Sequence, residues 1–489
     1  MTHPDPRPAT RPDSVHGARP GTDAPPPARP GTGPDTPRGA RGGATPGAGH
    51  NAGPGAGPGA GHSAGPGAGP GGRSDGPPGP EAGETSPAPV TLPVARECPF
   101  DPPAAYTALR EETPVAPLAL TVGPGGGTGW LVTRLADARA VLSDRRFSHR
   151  NELIGLPIPP PFPMAGYTPP PAAPGAFIKM DQPGHSRYRR LVTRRFTMRA
   201  IAGLTPVITR LTAEHLDAMA RSEGPVDLVT AFAEPLPVQV MCEMLGVPDA
   251  VREPLARHFA VLSRMSYTVE ELIAACTAVA ELLTDLVTTR REKPGTDLLS
   301  ELAGNGELSD EEVVNIAWAL LGGGFDTTAN MIALSTFALL THPEQLATLR
   351  ARPELADDAV EELLRYLTIS HLGASRAALT DVELNGVRIP AGDTVVVALP
   401  AANRDPAHFP DPERLDITAS AQGHVAFGHG EHQCIGQHLA RSVLRVALPA
   451  LFDRFPDLRL ATDPAKVPLR SDMLHYGVHE LPVAWGAGG

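Results

Sequence analysis

From residue 92 to about residue 485, apolar positions recur with helical spacing over most of the chain. Helices are predicted over residues 104–111, 135–142, 201–220, 269–293 and 443–455. Strand-like runs cluster in residues 114–132 and 382–399, the second pair flanking Pro390-Ala391-Gly392-Asp393. Residues 155–175 are rich in proline and apolar side chains, the pattern of a long functional loop within a fold. The fold class expected is mainly α with small β-sheets, in one domain over 92–489.

The pattern is absent before that. Residues 1–90 hold 22 Gly and 21 Pro and no Leu, Ile, Phe, Tyr or Trp. Such a stretch cannot bury enough surface to offset its ordering entropy, so residues 1–91 are expected to form a disordered tail. It has no apolar core of a signal peptide or anchor.

The tail's 7 Arg balance its 7 Asp and Glu, so the net charge of −12 belongs to the remainder, 35 basic against 47 acidic residues. Nucleic acid is not an expected partner of so acidic a surface. No uncharged apolar run of spanning length appears outside Ala-rich helical segments, so no membrane anchor is expected. Cys98, Cys242, Cys276 and Cys434 are widely spaced, which suits a reducing cytoplasm better than a disulfide framework.

The segment Phe427-Gly428-His429-Gly430-Glu431-His432-Gln433-Cys434-Ile435-Gly436 precedes a helix opening at Gln437. A thiolate just before a helix start meets backbone N–H groups and the positive end of the dipole. Gly428, Gly430 and Gly436 permit tight turns and close approach of a flat ligand. Packing alone, or a zinc site from His429, His432, Cys434 and His438, are the alternatives.

Ser309 and Glu312 form a capping box for a helix running to Leu340, about 45 Å at 1.5 Å per residue. Its middle reads Gly322-Gly323-Gly324-Phe325-Asp326-Thr327-Thr328. Each interior glycine costs roughly 1 kcal/mol relative to Ala, and a buried acid adds a desolvation cost. The functional reading is a locally opened helix beside a flat cofactor, with Asp326 and Thr327 facing bound oxygen and carrying protons. A helix break or a close helix crossing is the alternative.

Two further pairs lie on helix faces. Glu362 and Arg365 are at i, i+3, and His185 and Arg189 at i, i+4. The second pair presents two donors suited to carboxylates.

Together these segments resemble the bacterial soluble cytochrome P-450 family, actinobacterial type, over about residues 95–485. The cysteine loop matches FxxGxxxCxG at every fixed position, and Gly323 to Thr327 fit [AG]-G-x-[DE]-T. Glu362 and Arg365 match ExxR; His185 and Arg189 match HxxxR. The resemblance implies heme b (iron protoporphyrin IX) with Cys434 as the iron ligand and Phe427 beside the sulfur. It implies propionate contacts from His185, Arg189, Arg376 and His432, with Gly323 and Gly324 close to the cofactor. Thr327 would hydrogen-bond oxygen, Asp326 would relay protons, and Phe325 is a candidate substrate contact. Arg414 would complete a buried ion network with Glu362 and Arg365.

The implied activity is a monooxygenase using O2 on a hydrophobic small molecule, a natural-product intermediate. Electrons would come from NAD(P)H through ferredoxin reductase and ferredoxin, docking on Arg187, Arg190, Arg194 and Arg195. Substrate choice would lie in residues 150–176, 240–270, 367–373 and 471–475. Atypical oxidation such as coupling or desaturation, or heme binding without turnover, are the other readings.

Overall fold

The computed structural model describes residues 88–123, 127–159, 168–222 and 224–486. Residues 1–87 of the expected tail, and part of the Pro-rich loop, lie outside them. Val90 exchanges backbone hydrogen bonds with Pro117 and Ala119, at 2.9 and 2.8 Å. The folded unit thus begins no later than Val90, two residues before the expected boundary.

A five-stranded sheet lies beside the helices. Its strands are β1 (Val115–Ala119), β2 (Thr128–Val132), β3 (Phe147–Ser148), β4 (Ala374–Ala378) and β5 (Thr394–Val397). They run in the order β1-β2-β5-β4-β3. Only β2 and β5 pair in parallel, with Leu131 opposite Val396. The two runs around Pro390 do not form a hairpin with each other. Val387–Ile389 pairs back with Val382–Leu384, while β5 joins the main sheet.

Seven helices matter for the site. They are α1 (Gly184–Thr193), α2 (Pro235–Leu245), α3 (Asp249–Leu262), α4 (Val269–Glu292), α5 (Asp310–Thr341), α6 (Ala356–Leu367) and α7 (Gln437–Arg454). α5 starts at the expected capping box. The Ser309 hydroxyl accepts from Glu312 N–H at 3.2 Å, and Glu312 accepts from Ser309 N–H at 2.8 Å. Every residue from Thr328 to Leu339 is buried. Each large apolar side chain removed from water there contributes about 1.5–3 kcal/mol, which makes α5 the spine of the core.

The helix expected over 201–220 is split. Met198–Ala202 ends before Gly203, and Thr205–Ala220 restarts with Pro206 in its first turn, where the missing N–H costs nothing. Among the described residues, α4 alone is long and apolar enough to cross a membrane. It packs on the core through Ala275, Val279, Leu283, Leu286 and Val287.

Candidate functional site

Cys434 is fixed by its loop. Its N–H donates to the Phe427 carbonyl at 2.9 Å, and Val425 N–H donates to the Asn403 side chain at 2.7 Å. Gly428 and Gly430 both have positive φ. A Cβ on Gly430 would lie 2.6 Å from the Leu142 carbonyl oxygen, so only glycine fits this turn. Gly436 has φ −79 and needs no such freedom. Its value lies in its N–H, which with that of Gln437 points at the sulfur. Burial pushes the Cys434 thiol up; these N–H groups, Arg189 and Arg441 pull it back. The cysteine is deep in the protein, yet open to an internal chamber.

That chamber, about 380 Å³, is bordered by Cys434, Phe427 and Leu439 and by Gly323, Gly324 and Thr327 of α5. α5 runs through Gly322–Thr328 without a break, so the expected opening does not occur. The glycines instead leave a bare wall. Gly323 carries its missing side chain toward open space, and Gly324 lets Met241 of α2 close in, since a Cβ there would lie 2.8 Å from its thioether. The Thr327 hydroxyl donates to the Gly323 carbonyl at 2.7 Å.

One expected contact on this helix, that of Phe325 with substrate, is not formed, and the expected proton carrier Asp326 is held from the outer side. Phe325 points into the core, edge-to-face on Phe259 at 5.6 Å, because position 325 falls on the face packed against α3. The Asp326 carboxylate turns outward to Arg470 (2.6 Å) and His475 (3.0 Å), because two donors meet it there. Burial pushes that carboxyl up, but His475 and Arg470 hold it below the usual carboxylate range.

At the chamber's edge the structure gathers cations and imidazoles. His149, His432 and His185 stack ring on ring, with centroids 3.6 and 3.9 Å apart. The Nε2 atoms of His149 and His185 are buried without a partner. Burial holds Arg376 down at about 10 and lowers Arg189 and Lys179, and burial with Arg376 and His185 nearby holds His432 at about 3. Three cations therefore share one region with two acids already engaged: Asp181 accepts from the Ser148 hydroxyl and His149 N–H, and Glu431 at the margin binds Gln182 and Arg145. Buried charge of one sign is costly unless paired. The cluster lacks two carboxylates, which the propionates of heme would supply, and the sulfur borders the same space. The residues fit heme. His149 and Lys179 carried no sequence signal, since neither belongs to a spaced motif.

Beneath the loop, Glu362 and Arg365 form a buried bidentate pair at 2.7 and 2.8 Å. Arg414 does not complete it as expected: its side chain is exposed, and only its carbonyl accepts from Arg365, at 3.3 Å. The carbonyls of Asn403 and Pro412 take the remaining donors, at 3.0 and 2.9 Å. The sequence reading missed Glu361, one residue earlier, which binds Arg441 and His424. Among the described residues no group of three or more His, Cys, Asp or Glu converges as a metal site, which leaves the zinc alternative without support.

The expected substrate segments are partly realised. Val240, Met241, Ile369, Ser370 and Gly373 line the chamber; no described residue of 150–176 or 471–475 does. The last of these packs instead against α5, through His475.

Comparison with known proteins agrees with this geometry. The family model described as Cytochrome P450 matches residues 238–479. Cytochrome P450 105C1 of a Streptomyces species is 47% identical over 82% of this chain and 100% of its own length. The 6-deoxyerythronolide B hydroxylase of Saccharopolyspora erythraea is 40% identical over 77% of this chain and 94% of its own. The crystal structure of CYP105P1 in complex with filipin I superposes with a TM-score of 0.75 at 42% identity, covering 82% of this chain and 100% of that one. The chain belongs to the cytochrome P450 family of heme-dependent monooxygenases.

Proposed function

We propose that this chain inserts one oxygen atom from O2 into a C–H bond of a hydrophobic natural-product intermediate, with electrons delivered by ferredoxin. The observation that carries the reading is that Cys434 and the Gly323–Thr327 wall border one chamber. Heme held there supplies oxygen activation. The protein's part is to bind, to keep water from the sulfur and to move protons. Phe427 covers the sulfur side, while His185, Arg189, Arg376 and His432, with His149 beside them, grip the carboxylates. Val240, Met241, Leu320 and Ile369 give the substrate an apolar wall. The Thr327 hydroxyl can exchange its Gly323 partner for a group in the chamber and pass a proton inward.

Ferredoxin docking draws on fewer cations than the sequence suggests. Arg187 pairs with Glu312, and Arg194 and Arg195 both pair with Glu301. Of the four expected arginines, Arg190 alone has no ion pair among the described residues; it lines a groove with Arg189 and Glu431, the latter paired with Arg145, on the cysteine side where electrons must arrive. Four free thiols suit a reducing cytoplasm, where ferredoxin reductase and NAD(P)H are available.

The test is spectroscopic and chemical. The dithionite-reduced carbon monoxide spectrum of the wild type should be of thiolate type, and Cys434→Ser should lose it. Turnover under labelled O2 should then place one labelled atom in the product. An unchanged spectrum in the variant would falsify the ligand assignment.

A further inference from the structure

The Asp326 carboxylate is held from outside α5 by two residues of the C-terminal segment. Arg470 Nη2 donates to one oxygen at 2.6 Å, and His475 Nδ1 lies 3.0 Å from the other. Exposure is graded across the cluster: 7% for the Arg470 side chain, 13% for Asp326 and 29% for His475. The imidazole is thus the outermost of the three. The next residue of α5, Thr327, borders the chamber. Asp326 therefore stands between the site and the solvent, with His475 in front of it.

Chemistry separates the two partners. A guanidinium keeps all its protons, so Arg470 can hold a charge but cannot pass a proton on. An imidazole gains and loses a proton near neutral pH, and does so at two different nitrogens. In His475, Nδ1 faces Asp326, and Nε2 has no protein partner among the described residues. With its carboxyl held below the usual range by His475 and Arg470, Asp326 rests ionised. It stores no proton, so each one must be delivered to it.

We infer that His475 is the proton-carrying residue between solvent and Asp326. The inference rests on Asp326 and Thr327 serving as the oxygen-side pair. From the tautomer with its proton on Nδ1, a hydronium ion gives a proton to the bare Nε2 and leaves as water, and the Nδ1 proton passes to the Asp326 oxygen. That leaves a neutral imidazole and a neutral carboxyl, which hands its proton inward and returns to the carboxylate. The ring now carries its proton on Nε2; it swings to water, loses that proton and takes one on Nδ1, so the tautomer resets with no net gain or loss. One proton crosses per cycle and no electron moves.

Other ionisable groups surround this path. Glu234, at the start of α2, lies close enough to feel both Arg470 and Asp326, and burial pushes its carboxyl up. It forms no hydrogen bond to Asp326 and is the rival carrier. His371 shares a bond with the Met473 carbonyl at 2.8 Å and is held by burial at about 4, so it stays neutral. Asp472 pairs with His479 at 2.7 Å. Arg264 is joined to Met473 by a backbone bridge just beyond the end of α3 and, as a guanidinium, is not a proton carrier.

The experiment compares holoenzyme of the wild type with His475→Gln, His475→Phe, Glu234→Gln and Asp326→Asn. NADPH oxidation is driven by ferredoxin and its reductase across a pH series, with biphenyl as the hydrophobic probe, in H2O and D2O. The carbon monoxide spectrum of each variant checks that the heme site is intact. His475→Gln keeps a side chain that bonds Asp326 but cannot titrate. It should slow NADPH oxidation about 100-fold, the scale of one positioned proton-transfer group, and flatten the pH profile. Glu234→Gln should match the wild type. Nitrogen NMR of labelled histidine should show the His475 Nδ1 resonance as hydrogen-bonded in the wild type and moved in Asp326→Asn. Wild-type rate and pH profile in His475→Gln, or the same loss in Glu234→Gln, would overturn the assignment. A wild-type rate in Asp326→Asn would instead reject the oxygen-side pair itself.

Discussion

The guanidinium carbon of Arg441 lies 4.6 Å from the centroid of the Phe427 ring. The same group grips Glu361 through two bonds, at 2.5 and 2.9 Å. Glu361 also meets His424 Nε2 at 3.1 Å. The aromatic that opens the cysteine loop is therefore clamped from behind by an ion triad drawn from α6, α7 and the loop's approach. This gives the triad a definite pH signature.

Burial pushes the Glu361 carboxyl up, yet His424 and Arg441 hold it at about 2, below its ordinary value of 4.5. A carboxyl depressed in the folded state stabilises the fold above its unfolded pKa, and that contribution fades as pH falls through the folded one. Glu361→Gln should therefore melt below the wild type at neutral pH. The gap should hold down to pH 4.5 and close between there and about 2. Melting curves followed at the Soret band across that range provide the check, and a gap that ignores pH would remove the triad's electrostatic role.

The Glu362–Arg365 pair makes a different prediction. Both side chains are almost fully buried, at 2% and 3% exposure. Glu362 also accepts from Asp416 N–H at 3.0 Å. Removing one partner leaves the other charge buried and unpaired, a cost of about 3–5 kcal/mol. Glu362→Ala should yield protein that unfolds readily or retains little heme. Arg414→Ala, by contrast, should change stability by no more than about 0.5 kcal/mol, since the network uses only that residue's carbonyl. Denaturant unfolding of both variants decides the matter; a large loss from Arg414→Ala would show the side chain to be part of the network.

What could be read from the chain divides by the kind of spacing involved. The capping box of α5, the cysteine loop and the i, i+3 and i, i+4 pairs are local patterns, and local geometry fixes which face they share. The direction of Phe325 and of Asp326 was not legible, because the outcome depends on α3 and on Arg470 and His475, residues far away in sequence. Arg414 was misread for a related reason: the bond it makes uses a backbone atom, which no residue type encodes. His149 is brought onto His432 by the pairing of β3 with β4, a long-range event with no motif. The break at Gly203 had a local signal, Gly203 followed by Pro206, but the apolar period carried across it.

Val90 offers a test of where the fold begins. Its two backbone bonds to the β1 strand are lost from a chain starting at Leu92 but kept in one starting at Ala88. At about 0.5–1.5 kcal/mol for each net hydrogen bond, the shorter chain should melt measurably lower. The longer one should match the full-length protein in melting temperature and heme content. Equal melting of the two truncated chains would place the edge of the fold after Val90.

Gly323 and Gly324 are neighbours on α5, and the structure assigns them opposite responses to the same substitution. A methyl group on Gly323 meets nothing within 4 Å, because it points into the chamber; on Gly324 it meets the Met241 side chain at 2.8 Å. Replacing an interior helix glycine with Ala is worth about 1 kcal/mol in its own right. Gly323→Ala should therefore raise stability, while taking space from a chamber of about 380 Å³ and weakening the Soret shift seen on titration with a hydrophobic ligand. In Gly324→Ala the gain is set against overpacking of about 1–3 kcal/mol, softened only as far as the flexible thioether can move. That variant should melt at or below the wild type. Melting temperature and titration with that ligand on the two variants separate the cases, because the first should gain stability and lose binding whereas the second should gain no stability. If both melt above the wild type, Met241 yields freely and its contact with α5 does not set the chamber's wall.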